Sequence, residues 1–225
     1  MTLTVAYGAL LTGVIVWFVL VRKFSARSWE GQVVADDAHS GADSAPAKVG
    51  LWVFLAVITS LFALFISAYY MRMGHGHTPV QDWAPLSEPP VLWMNTVMLI
   101  LSSVAMQWSR ANVVRGKLAQ TRDGLIAGGL LTLAFLAGQF FAWGAIRSSG
   151  FFSPQNPAVA FFYLLTAVHA LHLLGGLCVW AKTLMRMRRK DIEVIDVRMS
   201  IELCAVYWHY LLFIWLVLFA LLLST

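Results

Sequence analysis

Residues Ser200–Leu223 read SIELCAVYWHYLLFIWLVLFALLL. Across these positions Glu202 is the only formal charge and His209 the only imidazole. As an α-helix the stretch is about 36 Å long, enough to cross a hydrocarbon core of roughly 30 Å. Working back toward the N-terminus, five more segments satisfy the same length and composition: Leu3–Val21, Val49–Met71, Val91–Trp108, Gly124–Ile146 and Ala158–Ala181. None alternates apolar and polar residues with the period of an outer-membrane barrel strand. The expected fold is therefore all-α, an integral membrane bundle of six transmembrane helices.

Composition agrees. The 225 residues are 60% hydrophobic and 12% charged, with a mean hydropathy of +0.73. A soluble domain needs more polar surface than that. The apolar run at Leu3 has no basic region before it and ends in Arg22-Lys23 without a small-residue cleavage site, so it reads as a helix and not as a cleaved signal peptide. Phe24–Lys48 is rich in Ala, Ser, Asp and Gly and has little to bury, which suggests a flexible cytoplasmic linker. The expected organisation is an N-terminal helix within residues 1–23, a linker over 24–48 and a five-helix core over 49–225.

The net charge of +5 is a topology signal and not a nucleic-acid footprint, because the basic residues flank the hydrophobic segments. Arg22, Lys23, Arg27 and Lys48 follow the first helix; Arg110, Arg115, Lys117 and Arg122 follow the third; Lys182, Arg186, Arg188, Arg189, Lys190 and Arg198 follow the fifth. Only Arg72 and Arg147 fall on the opposite side. Basic loops stay in the cytoplasm during insertion, so both termini are expected in the periplasm of a bacterial inner-membrane protein.

Polar side chains in lipid need a partner or a wet cavity, which makes each one a candidate. His169 and His172 share a face of the fifth segment; Glu202 and His209 are seven residues apart on the sixth; Asn95, Thr96, Ser102, Ser103 and Gln107 lie on the third, and Thr132 and Gln139 on the fourth. Counting residues places His169 and His209 at one level near the midplane, with Glu202 at the cytoplasmic rim below His172. Three His and one Glu could be drawn as a metal site. Bundle interiors use the same residues as hydrogen-bond partners between helices, and that is the reading adopted. His75-Gly-His77 offers at most accidental metal affinity, and Cys178 and Cys204 read as small buried side chains. No nucleophile with a base, phosphate loop, CxxCH or carboxylate pair is present, so the chain has no catalytic apparatus of its own.

Glu202, followed by Trp208-His209 and then Trp215, resembles the last-helix signature of haem–copper (cytochrome c) oxidase subunit III. Thr166-Ala-Val-His-Ala-Leu-His-Leu-Leu-Gly175 is similar to the family's His-x-x-His-x-x-Gly segment. Asn95-Thr96, Ser102-Ser103 and Trp108 resemble its Asn-Thr…Ser…Trp helix, and Gly50-Leu-Trp-Val-Phe with Leu61-Phe62 its opening. The resemblance runs from Gly50 to the C-terminus and implies a divergent bacterial member. It implies a non-catalytic subunit that binds no haem or copper itself and packs on the metal-bearing subunit I, beside subunit II. It also implies bound phospholipid, support of proton uptake and durability in turnover, with oxygen access among the roles attributed to the family. Three family carboxylate or amide positions differ, with Ile58, Leu212 and Ala145 in their places. A subunit III-like partner of a quinol oxidase or nitric oxide reductase is the near alternative; an independent small transporter is the distant one.

Overall fold

The computed structural model describes residues 41–74, 90–148, 157–187 and 194–223. They form five helices: α1 (Gly41–Gly74), α2 (Val91–Val114), α3 (Leu118–Ser148), α4 (Pro157–Arg186) and α5 (Val194–Leu223). All five are long and apolar enough to cross a membrane. The segment Leu3–Val21 expected as a sixth helix lies outside the described residues, as do residues 24–40 of the expected linker. α1 begins at Gly41, inside the stretch read as linker. The chain divides into two compact units, Met1–Ala47 and Lys48–Thr225. The second is the helical bundle described below.

Proline and glycine set the helix ends. Pro90 precedes α2 and Pro157 opens α4, positions at which a missing N–H leaves no helical bond unmade. Gly116, with φ of 71°, turns the chain between α2 and α3 in a conformation that a side chain disfavours. Lys117 N–H then reaches back to Asn112 O at 3.0 Å, and Ser109 Oγ donates to Thr121 O at 2.8 Å, which clamps the hairpin.

Contacts along the helices give their directions. Residues 208, 209 and 215 of α5 meet residues 102, 103 and 96 of α2, so these two run antiparallel. Tyr207 and Tyr210 of α5 meet Phe54 and Leu55 of α1, a parallel pair. Tyr69 of α1 meets Phe161 of α4, and Phe62 meets His172, another antiparallel pair. α2 and α3 pack most closely, with α5 against α2 and α4. α1 is held at longer range by the side chains just named. This alternation collects Lys48, Arg110, Arg115, Lys117, Arg122, Lys182, Arg186 and Arg198 at one end of the bundle and leaves Arg72 and Arg147 at the other.

The bundle is apolar outside and partly polar inside. Val53, Val57, Leu64, Phe140, Phe141 and Leu171 are exposed, while Asn95, Ser102, Thr132, Gln139, Thr166 and His169 are buried. In hydrocarbon that inversion is expected, because a polar group finds partners only within the protein. Cys204 is buried beside Thr183, but Cys178, expected inside, is on the outer face.

Close helix approach depends on bare backbone at a few sites. A Cβ on Gly129 would stand 2.2 Å from the Trp180 ring, and that indole is fixed by its bond to Leu125 O at 2.8 Å. A Cβ on Gly175 meets nothing within 4 Å. Gly129→Ala is therefore expected to destabilise the bundle by roughly 1–3 kcal/mol through overpacking. Gly175→Ala is expected to be neutral, or to stabilise by up to about 1 kcal/mol through helix propensity. Thermal unfolding of the detergent-solubilised protein checks the pair; equal effects would contradict this packing.

Candidate functional site

The polar residues of the interior gather along one line of α5. The indole of Trp208 donates to Ser102 Oγ at 3.0 Å and to Thr132 Oγ1 at 2.9 Å. Both hydroxyls in turn donate to the carbonyl of Gly128, at 2.7 and 2.9 Å. One buried N–H thus ties α5 to α2 and α3, and every polar atom in the junction has a partner. Trp208, Ser102 and Thr132 are each at most 1% exposed. Two turns further on, Trp215 Nε1 donates to Thr96 Oγ1 at 3.0 Å, and Thr96 passes its own proton to Leu92 O at 2.9 Å. The neighbouring Asn95 Nδ2 donates to Gln139 Oε1 at 3.4 Å, across a gap that Gly138 keeps open.

His209 lies beside Trp208 but turns outward. Its Nδ1 is bonded to Ser103 Oγ, and its Nε2 lies 3.1 Å from Gln107 Oε1. Because that amide oxygen can only accept, Nε2 carries the proton and Nδ1 accepts from the serine. Counting residues put His209 level with His169, on the helix next to it. The structure turns its bonds to α2 instead. The three side chains line an open groove of about 410 Å³ between α2 and α5, with Ile100, Val104, Trp108, Ala111 and Leu212 as its apolar walls.

His169 is fully buried, and among the described residues neither ring nitrogen has a hydrogen-bond partner. Its surroundings are aromatic: Trp215 at 5.3 Å, Phe135 at 5.9 Å edge-on and Phe62 at 6.5 Å, contributed by three different helices. His172, expected above Glu202, faces Phe62 at 5.7 Å and donates from Nδ1 to Val168 O at 2.7 Å. Glu202 pairs with Arg198 at 3.3 Å on its own helix. Trp108 is 47% exposed at the groove edge. The three His and one Glu that could be drawn as a metal site are thus not brought together. Among the described residues no group of three or more His, Cys, Asp or Glu could hold a metal ion. His75 and His77 lie outside the described residues.

Ile58 is 2% exposed, one turn from the Phe62 that touches His169. Leu212 stands in the groove wall beside His209. Sequence reading missed the tyrosines and two tryptophans that also bridge helices. Tyr210 OH donates to Leu55 O at 3.2 Å, Tyr207 OH to His172 O at 2.9 Å, and Trp143 Nε1 to Thr166 Oγ1 at 3.0 Å. An aromatic ring with one polar handle, set within a membrane-spanning helix, was the available signal.

Saturated and unsaturated polar groups should respond oppositely to removal. Trp208→Phe strips the shared donor and leaves a void, and is expected to cost roughly 1–3 kcal/mol. His169→Phe removes two unpaired atoms from an aromatic site and is expected to change stability by less than about 1 kcal/mol, or to raise it. The thermal midpoints of the two variants give the order directly.

The chain matches the family described as cytochrome c oxidase subunit III over residues 2–224. It is 28% identical to a protein of Mycobacterium bovis described as a probable cytochrome c oxidase subunit 3, over 87% of this chain and 96% of that one. The cytochrome c oxidase subunit 3 of Thermostichus vulcanus is 25% identical, over 84% and 92% of the two chains. That of Pongo abelii is 26% identical, over 96% and 90%.

Proposed function

The chain belongs to the cytochrome c oxidase subunit III family and is a multi-pass accessory subunit of a haem–copper oxidase, and we propose that it serves that complex by packing against the haem- and copper-bearing subunit I. In this reading it is itself non-catalytic and cofactor-free, and sits in a bacterial inner membrane with its basic end in the cytoplasm. Subunit II and phospholipid complete its surroundings. The match over residues 2–224 carries the reading. The interior supports it, because most of its polar groups are spent on holding helices together. A bundle whose outer face is largely apolar is suited to bracing a neighbour and to ordering lipid around it.

Two roles attached to the family find different support here. Proton delivery through acids inside this chain has little, because Ile58 and Leu212 are apolar and the described interior holds no carboxylate except Glu202 near its rim. Stabilisation of the complex has more, because an outer surface this apolar needs lipid or protein over nearly all of it.

A tagged chain solubilised in mild detergent is expected to co-elute with a haem-containing subunit, in a complex that consumes oxygen. A complex without this chain should keep its haem spectrum and lose activity faster during turnover. A stable, solitary, haem-free protein would overturn the assignment of partners. Consumption of nitric oxide in place of oxygen would move the complex to the reductase branch.

A further inference from the structure

The groove between α2 and α5 changes character along its length. At its inner end the walls are Ile100, Val104 and Leu212, and toward the basic end of the bundle the lining becomes Gln107, Trp108 and Ala111. Ser103 donates to His209 Nδ1, and His209 Nε2–H donates to Gln107 Oε1 at 3.1 Å. That chain pins the amide oxygen and leaves the Gln107 N–H₂ without an acceptor among the described residues. Arg110 is half-buried three residues further on, a neighbour of Gln107 on the helix surface. It too has no acceptor or carboxylate partner among the described residues.

Depth and width decide what can lie there. The apolar span of α2 ends at Trp108, and Arg110 opens the basic hairpin that follows. Gln107 therefore stands at the edge of the hydrocarbon, the level of lipid esters, while Ile100 lies about 10 Å deeper. Trp108, 47% exposed, flanks that edge, where an indole is favoured. Spread over the roughly 16 Å from Ile100 to Ala111, the volume of about 410 Å³ leaves a width of about 5–6 Å, half the 10–12 Å of an α-helix with its side chains. A single hydrocarbon chain fits that width lengthwise; an α-helix, whatever its source, does not. Hydrocarbon walls, then an amide donor, then a cation follow the order of a phospholipid from acyl chain to ester to phosphate.

We infer that this groove is a phospholipid site, holding one acyl chain between α2 and α5 with its ester carbonyl accepting from Gln107 Nε2 and its phosphodiester facing Arg110. The inference rests on the accessory-subunit reading, in which phospholipid surrounds the chain, and assigns one lipid to one place. The charge of Arg110 attracts the phosphate, and the pinned amide sets the depth at which the ester stops.

The test uses the whole complex in phosphatidylcholine nanodiscs containing a small fraction of phosphatidylglycerol with a diazirine on its acyl chain. Illumination and peptide mapping are expected to find adducts on Ile100, Val104 or Leu212. Unlabelled diester phosphatidylglycerol should compete for these positions about threefold better than its diether analogue, which lacks the ester carbonyl. Gln107→Leu is expected to remove that difference, and Arg110→Gln to weaken groove labelling by about threefold or more, both compared as assembled complexes. Adducts at Phe141, 74% exposed on α3, report ordinary surrounding lipid and should respond to neither substitution. Groove labelling no stronger than at Phe141, equal competition by the two lipids in the unmodified chain, or indifference to both substitutions would overturn the site. Failure of the unmodified chain to co-purify with a haem-bearing subunit would instead overturn the reading beneath it.

Discussion

The indole N–H of Trp208, shared between Ser102 and Thr132, is the contact on which the rest of the bundle turns. It joins three helices at one buried point, and both of its acceptors end on the single carbonyl of Gly128. In water such a cluster would contribute little, because each group could bond solvent. In hydrocarbon there is no solvent to return to, so helices must arrange themselves until these groups meet. Measured side-chain hydrogen bonds between membrane helices are modest, typically about 0.6 kcal/mol. Their weight here comes from direction, since only one rotation of α5 satisfies Trp208, Trp215 and His209 together.

That rotation distributes chemistry between inside and outside. Trp208 and Trp215 point into the bundle, while His209 points to the groove on α2 and takes Ser103 and Gln107 with it. His169 receives an aromatic cage instead of a polar partner. Where Ile58 replaces the carboxylate expected from the family resemblance, the helix facing that cage brings only hydrocarbon. The bundle therefore holds polar groups of two kinds. Saturated ones fix geometry, and the open ones among the described residues, at His169, Gln139 Nε2 and Gln107, mark where the protein departs from a purely structural solution.

Much of the fold is legible in the chain because lipid imposes few solutions. Segment lengths near 20 apolar residues gave the five described helices, each of which runs on for more than a turn past the expected segment at its basic end, and the basic residues gave their alternation. The resemblance built on Glu202, Trp208, His209, Trp215 and the His169–Gly175 run led to the family that the full-length match supports. Depth counting did less well. It gave Glu202 a level below His172 but no partner; Arg198, one turn away on the same helix, is the one that α5 provides. It also drew His169 and His209 together at one level, although their helices turn them to different faces.

What the sequence determined by itself is the class of solution: apolar helices, their number among the described residues, their direction and the few side chains that must find partners. These follow from composition and from the cost of bare polar groups in lipid, both local properties. What only the tertiary structure decided is which polar group meets which. Helices apolar on every side carry almost no periodicity to show their inner face, so Cys178 was expected inside and lies outside. The rotation of each helix about its axis is set by its neighbours, through glycines that admit a ring and indoles that need an oxygen.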